Sequence, residues 1–167
     1  MRAYLGIGIS IGLLAGILAQ ISAPLGIITW VAFASWACYF AAGTGPRGAA
    51  LAALCTVSGV VWGWVIVQIA GVGFPLALGV AVAIVAFCMC VQAAVPLLAF
   101  IPGTFIGAAS YFGTEYKFFP TIAALLIGVA FAWASDLLGQ VIQRTLVKDR
   151  SRPVDPAEPN RRRPRTA

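Results

Sequence analysis

Residues 48–114 read GAALAALCTVSGVVWGWVIVQIAGVGFPLALGVAVAIVAFCMCVQAAVPLLAFIPGTFIGAASYFGT, a stretch of 67 positions without one Asp, Glu, Lys or Arg. Residues 3–46 are uncharged as well, so Arg47 is the only charge between Arg2 and Glu115. A helix needs roughly 20 mostly apolar residues to cross about 30 Å of hydrocarbon. Runs this long must therefore fold into several crossings, divided where glycine and proline interrupt them. A membrane barrel would instead alternate apolar and polar side chains in segments of about ten residues, a pattern these continuous runs do not contain.

The whole chain agrees with this stretch. Of its 167 residues 61% are apolar and 10% charged, against about a quarter charged in a typical soluble domain. Most of the charge is gathered at the C-terminal end, where residues 144–167 hold eight basic and three acidic side chains. With no histidine and only Glu115 and Asp136 as carboxylates before residue 144, general acid–base sets and nucleophile–histidine pairs cannot be assembled. An enzyme is not expected, and neither is a cofactor or a metal site. Cys38, Cys55, Cys88 and Cys90 lie in apolar runs and read as small hydrophobes.

Six crossings follow from the breaks. The first, residues 3–22, starts like a signal peptide but has a long apolar centre and no clear cleavage site; it ends before Pro24. The second, 25–42, carries Trp30, Phe33, Trp36, Tyr39 and Phe40, and Gly43 to Arg47 makes a turn. The third spans 49–70, and the fourth 76–95. The fifth, 97–112, follows Pro96 and contains Pro102, Gly103 and Gly107, so it is expected to be broken or re-entrant. The sixth, 118–143, leads into a basic, disordered tail at 144–167. Basic residues near span ends stay in the cytoplasm, which puts both termini and Arg47 there.

Sliding the chain by 72 residues pairs Gln20 with Gln92, Pro24 with Pro96, Phe33 with Phe105, Tyr39 with Tyr111 and Phe40 with Phe112. Three crossings per copy turn the second copy upside down. The expected fold is thus all-α, a polytopic membrane bundle of six segments arranged as a 3+3 inverted repeat. Residues 3–71 and 75–143 are its halves within a transmembrane domain at 1–143. Such repeats are common in transporters, with the substrate near the midplane at broken helices.

The candidate pathway residues are Pro102, Gly103 and Thr104, where a helix break would free backbone carbonyls within the membrane, and Phe33, Trp36 and Phe105 as an aromatic constriction. A plain kink and ordinary packing are the alternatives. Gln20 and Gln92 would line the two mouths or bond between helices. Asp136, an acid inside a span, would act in gating or proton coupling, or sit at the cytoplasmic boundary, paired with Arg144. The series Gly8, Gly12, Gly16 and the pair Gly59, Gly63 have the four-residue spacing of close helix packing.

The segment Phe100 to Ala108, with Ser58-Gly59-Val60-Val61-Trp62 and Tyr39-Phe40, resembles the YcdZ-like family of small bacterial inner-membrane proteins over residues 3–142. The resemblance implies a multi-pass protein of the bacterial inner membrane and brings no substrate or site residues, because the function of that family is unknown. Two functions fit the residues: an oligomeric channel or facilitator for a small neutral solute such as urea, ammonia, an amide or a short polyol, or a non-transporting scaffold acting through helix packing and its basic tail. Lipid is the expected surrounding, a second copy of the chain the expected partner, and nucleic acid is not expected.

Overall fold

Many bulky apolar side chains point outward in this protein, and small or hydroxylated ones share the interior with a few large ones. In the computed structural model, which describes residues 5–73 and 76–148, the first helix, α1 (Leu5–Ser22), buries Gly6, Ser10, Leu18 and Ser22 while Leu5, Ile9 and Leu13 are exposed. Thr56, Thr104, Thr121 and Ser135 are fully buried elsewhere. Lipid is the solvent that makes this distribution favourable, since helices in hydrocarbon gain nothing by hiding leucine from it and associate through small residues and hydrogen bonds.

Five more helices follow: α2 (Thr29–Ala41), α3 (Gly45–Ala70), α4 (Ala77–Val91), α5 (Ile101–Gly113) and α6 (Phe118–Lys148). Two short 3₁₀ turns, Gln92–Ala94 and Pro96–Leu98, separate α4 from α5. No strand occurs among the described residues. Four segments, Leu5–Ser22, Gly45–Ala70, Ala77–Ala94 and Phe118–Thr145, are long and apolar enough to cross a membrane. Both α2 and α5 have 13 residues, about 20 Å of helix, shorter than the hydrocarbon is thick. The protein is a multi-pass helical membrane protein.

The expected breaks are where the backbone turns, with four differences. The first is that α3 begins at Gly45, so Gly45, Pro46 and Arg47 form its first turn and only Ala42–Thr44 connect it to α2. Residues 25–28 are a turn rather than the start of the second helix, because Gly26 takes φ +65° after Pro24. Pro102 and Gly103 do not break the fifth helix. They lie in the first turn of α5, where a proline's missing N–H would have no partner anyway, and α5 runs unbroken from there. The irregular backbone is upstream: Val95, extended ahead of Pro96 as a residue before proline prefers, separates the two turns. Finally, α6 continues to Lys148, five residues past the expected end. Residues 149–167, most of the basic tail, lie outside the described residues.

A spacing of 72 residues recurs in the boundaries of two helical segments of each half, though not of the third. Adding 72 to Leu5–Ser22 gives the Ala77–Ala94 segment, and adding it to Thr29–Ala41 gives Ile101–Gly113. Packing exchanges the third helices: α1 and α2 pack mainly on α6, while α4 and α5 pack on α3. The second helices α2 and α5 touch each other, and α3 against α6 is the more extensive contact between the two units. At the α5–α3 crossing, Gly107 lies directly on the Thr56 carbonyl, and at the α2–α6 crossing, Gly128 lies on Ala32 and Ser35. In the register Gly107 corresponds to Ser35 and Thr56 to Gly128. Each crossing thus pairs one glycine with one hydroxyl residue, the sides exchanged, and any Cβ at the glycine would push the helices apart.

Gly59 and Gly63 also serve this packing, against Thr104 and Ala108. Gly8, Gly12 and Gly16 have nothing within 4 Å of where a Cβ would stand, so their spacing does not reflect packing within the chain.

Candidate functional site

The interruption between α4 and α5 is where the most extended set of neutral polar side chains converges. Gln92 stands at the end of α4, and its side-chain oxygen accepts a hydrogen bond from Trp62 Nε1 at 2.8 Å. Its amide nitrogen donates to Thr104 Oγ1 at 2.9 Å and to Ser58 Oγ at 3.2 Å. Ser58 in turn donates to the Cys55 carbonyl at 2.9 Å, and the Cys55 thiol points at the Leu97 carbonyl, 3.8 Å away. The cluster ties α3 and the first turn of α5 to the end of α4. Thr104 is fully buried and the other three are half-buried. It contains amide, hydroxyl and indole groups and no charge, so what it offers is a set of neutral donors and acceptors whose bonds a neutral solute of the same chemistry can take over.

Sequence reading singled out Gln92 and Thr104 for different roles, and the structure brings them together. It missed Ser58 and Trp62, whose signal was their spacing of four on one helix. Gln20, the register partner of Gln92, is exposed and has no hydrogen-bond partner among the described residues. The positions that would match Ser58, Trp62 and Thr104 around it are Ala130, Ala134 and Ala32. The polar cluster belongs to one unit only. Gly103 packs with its Cα against the Phe100 ring and Cys55, and Pro102 is exposed at the helix start.

A second polar contact holds the other unit. Asp136 is 6% exposed; Tyr39 donates to its Oδ2 at 2.7 Å and Gln140 to its Oδ1 at 3.2 Å. The Tyr39 hydroxyl also accepts the Gly45 amide at 2.8 Å. The carboxylate is thereby linked through one hydroxyl to the N-terminal end of α3, the end at which a helix dipole favours negative charge. Its partners are Tyr39 and Gln140, not Arg144. The Tyr39 hydroxyl links α6 to α2 and to the first residue of α3, while the Gln140 bond stays within α6.

A family model described as "Protein of unknown function (DUF1097)" matches residues 8–140. The chain belongs to this family. It is 39% identical over 137 residues to a protein of Escherichia coli (strain K12) named "Inner membrane protein YcdZ", covering 80% of this chain and 84% of that one. The Salmonella typhimurium protein of the same name is 36% identical over 137 residues, covering 80% of this chain and 86% of its own. No solved structure matches.

The aromatic residues of this DUF1097 chain are divided between the units. Trp36 is 4% exposed, with its ring centroid 6.0 Å from Phe33 and 6.1 Å from Phe131. Phe105 packs in the other unit, beside Ala108 and Phe112, and makes no ring contact with Phe33 or Trp36. The three do not form the constriction expected of them. Trp36 Nε1 is buried with no hydrogen-bond partner among the described residues. Those residues also contain no group of three metal-ligating side chains.

Proposed function

We propose that this protein is a facilitator for a small neutral polar solute of the urea, amide or short-polyol class in the bacterial inner membrane. In this reading it is an oligomer of chains with two oppositely oriented three-helix repeats and both termini in the cytoplasm, and it is not an enzyme. The single observation that carries the reading is the Gln92 cluster: four neutral hydrogen-bonding side chains at a helix interruption, in a protein whose other surfaces there are hydrocarbon. Neutral donors and acceptors suit a neutral solute, because an ion would leave its charge uncompensated in a low-dielectric site. The recurrence of helix boundaries at 72 residues supports the repeat, and the weight of basic residues at 144–167 supports the orientation. Inner-membrane location is supported by the names of the relatives.

The test is stopped-flow permeability of proteoliposomes to water, urea, formamide and glycerol, with native protein, Gln92→Leu and empty liposomes. Leucine nearly keeps the side chain's size and removes its bonds. Gly103→Leu is a poorer choice, because even a Cβ there comes within 2.6 Å of the Phe100 ring. A solute-specific increase that Gln92→Leu removes is expected. No increase for any solute, from protein that is folded by circular dichroism, would favour a scaffold that transports nothing.

A further inference from the structure

A cavity of about 180 Å³ opens between α3, α4 and α5. Its walls include Ile66, Met89, Phe105, Ala108 and Phe112, and every lining side chain is apolar. Phe105 is 44% exposed, so the cavity opens sideways, towards the lipid-facing surface. The 72-residue register says what stands in the same place in the other unit. Phe105, Ala108 and Phe112 correspond to Phe33, Trp36 and Phe40. There Trp36 is buried in a core cluster drawn from α1, α2, α3 and α6, with its ring beside Phe33 and Phe131. The second unit keeps the flanking phenylalanines and has alanine where the indole would be.

We propose that this cavity is a binding site for a neutral aromatic hydrocarbon of one or two fused rings, reached from within the bilayer. Enclosed apolar cavities of about 150 Å³ take up benzene; this one has a similar volume and an apolar lining, and is open on its lipid side. The register supplies the shape: an aromatic ring is the group that closes the same helix arrangement in the first unit. It also supplies a specificity. Trp36 Nε1 finds no acceptor among the described residues, and the side chains lining the cavity offer nothing stronger than the Met89 thioether. A ligand with an N–H or O–H would leave that donor unpaired, so indene binds more tightly than indole, by about tenfold or more.

The chain has two methionines, Met1 and Met89, which makes the test direct. Full-length protein carrying ¹³C-methyl methionine, in phosphatidylcholine nanodiscs, is titrated with indene and with indole. The Met89 methyl signal is expected to shift saturably with indene while Met1 stays still, and to need about tenfold more indole. Ala108→Trp is expected to abolish the indene response by filling the space. Ala86→Leu, from the α4 side, does the same by a smaller change should the tryptophan variant not fold. Shifts that grow linearly and equally at both methyls, or a filled variant that responds like native protein, would overturn the proposal in favour of simple partitioning into lipid. Cross-relaxation between Met89 and lipid chains that indene does not displace would overturn it in favour of an acyl chain, and equal affinity for indole would overturn the specificity. None of these outcomes bears on the Gln92 cluster or on solute flux.

Discussion

The unit formed by α1, α2 and α6 and the unit formed by α4, α5 and α3 each have a close crossing at a glycine but differ in contents. The first is filled by Trp36 and anchored by Tyr39, Asp136 and Gln140. The second has a cavity beside Ala108 and a neutral polar cluster around Gln92 at a helix interruption. One unit is thus closed with an indole and a carboxylate, and the other has a cavity and a set of neutral hydrogen bonds. The difference teaches that the two units share close crossings at glycine, Gly107 on Thr56 and Gly128 on Ala32, while the side chains between those crossings differ.

Removing the indole should cost most. Trp36→Ala makes the first unit resemble the second at this position, and a truncation of this size in a packed core typically destabilises by about 3–5 kcal/mol. Unfolding of the purified protein in micelles by heat or by SDS measures it; a cost below about 1 kcal/mol would mean that the indole does not hold that unit closed.

The glycine crossings should come next, and should be alike. Gly107→Ala and Gly128→Ala each introduce a methyl against a backbone carbonyl of the facing helix, with an expected cost of about 1–3 kcal/mol or more. Equal losses would mark the crossings as the common part of the two units. A harmless Gly128→Ala would contradict the tight α2–α6 approach.

The smallest effects separate the two glutamines. Gln92→Leu leaves the Trp62 N–H and the two hydroxyls to find other partners and should cost about 1–2 kcal/mol. Gln20→Leu, exposed and unbonded, should stay within about 0.5 kcal/mol, as should Gly12→Ala on the open face of α1. Equal costs for the two glutamines would remove the asymmetry at this level.

Much of the architecture was legible in the sequence. Long uncharged runs locate the helices, and Gly43 marks the turn at Ala42–Thr44 that separates α2 from α3. The pairing of Gln20 with Gln92 and of Phe33 with Phe105 gave a register that the boundaries of two helical segments of each half keep. The candidate site was legible only in part. Gln92 and Thr104 stand out as polar residues near prolines, but Ser58 and Trp62 become their partners only when α3 packs on α5, a contact that hydropathy does not encode. The role of Pro102 was misplaced because a proline after a glycine-poor stretch reads alike as a break or as a first helical turn; the extended Val95 ahead of Pro96 decides between them. The cavity was invisible because Ala108 is an ordinary alanine until it is set against Trp36 in the register.

The central claim, that solute passage belongs to the second unit and runs through its polar cluster, is tested most directly by paired flux measurements. Urea and formamide permeability is compared between Gln92→Leu and Gln20→Leu proteoliposomes at matched protein density. The account predicts flux lost with Gln92→Leu and kept with Gln20→Leu. Flux lost equally in both, or unchanged by Gln92→Leu while native protein conducts, would contradict it.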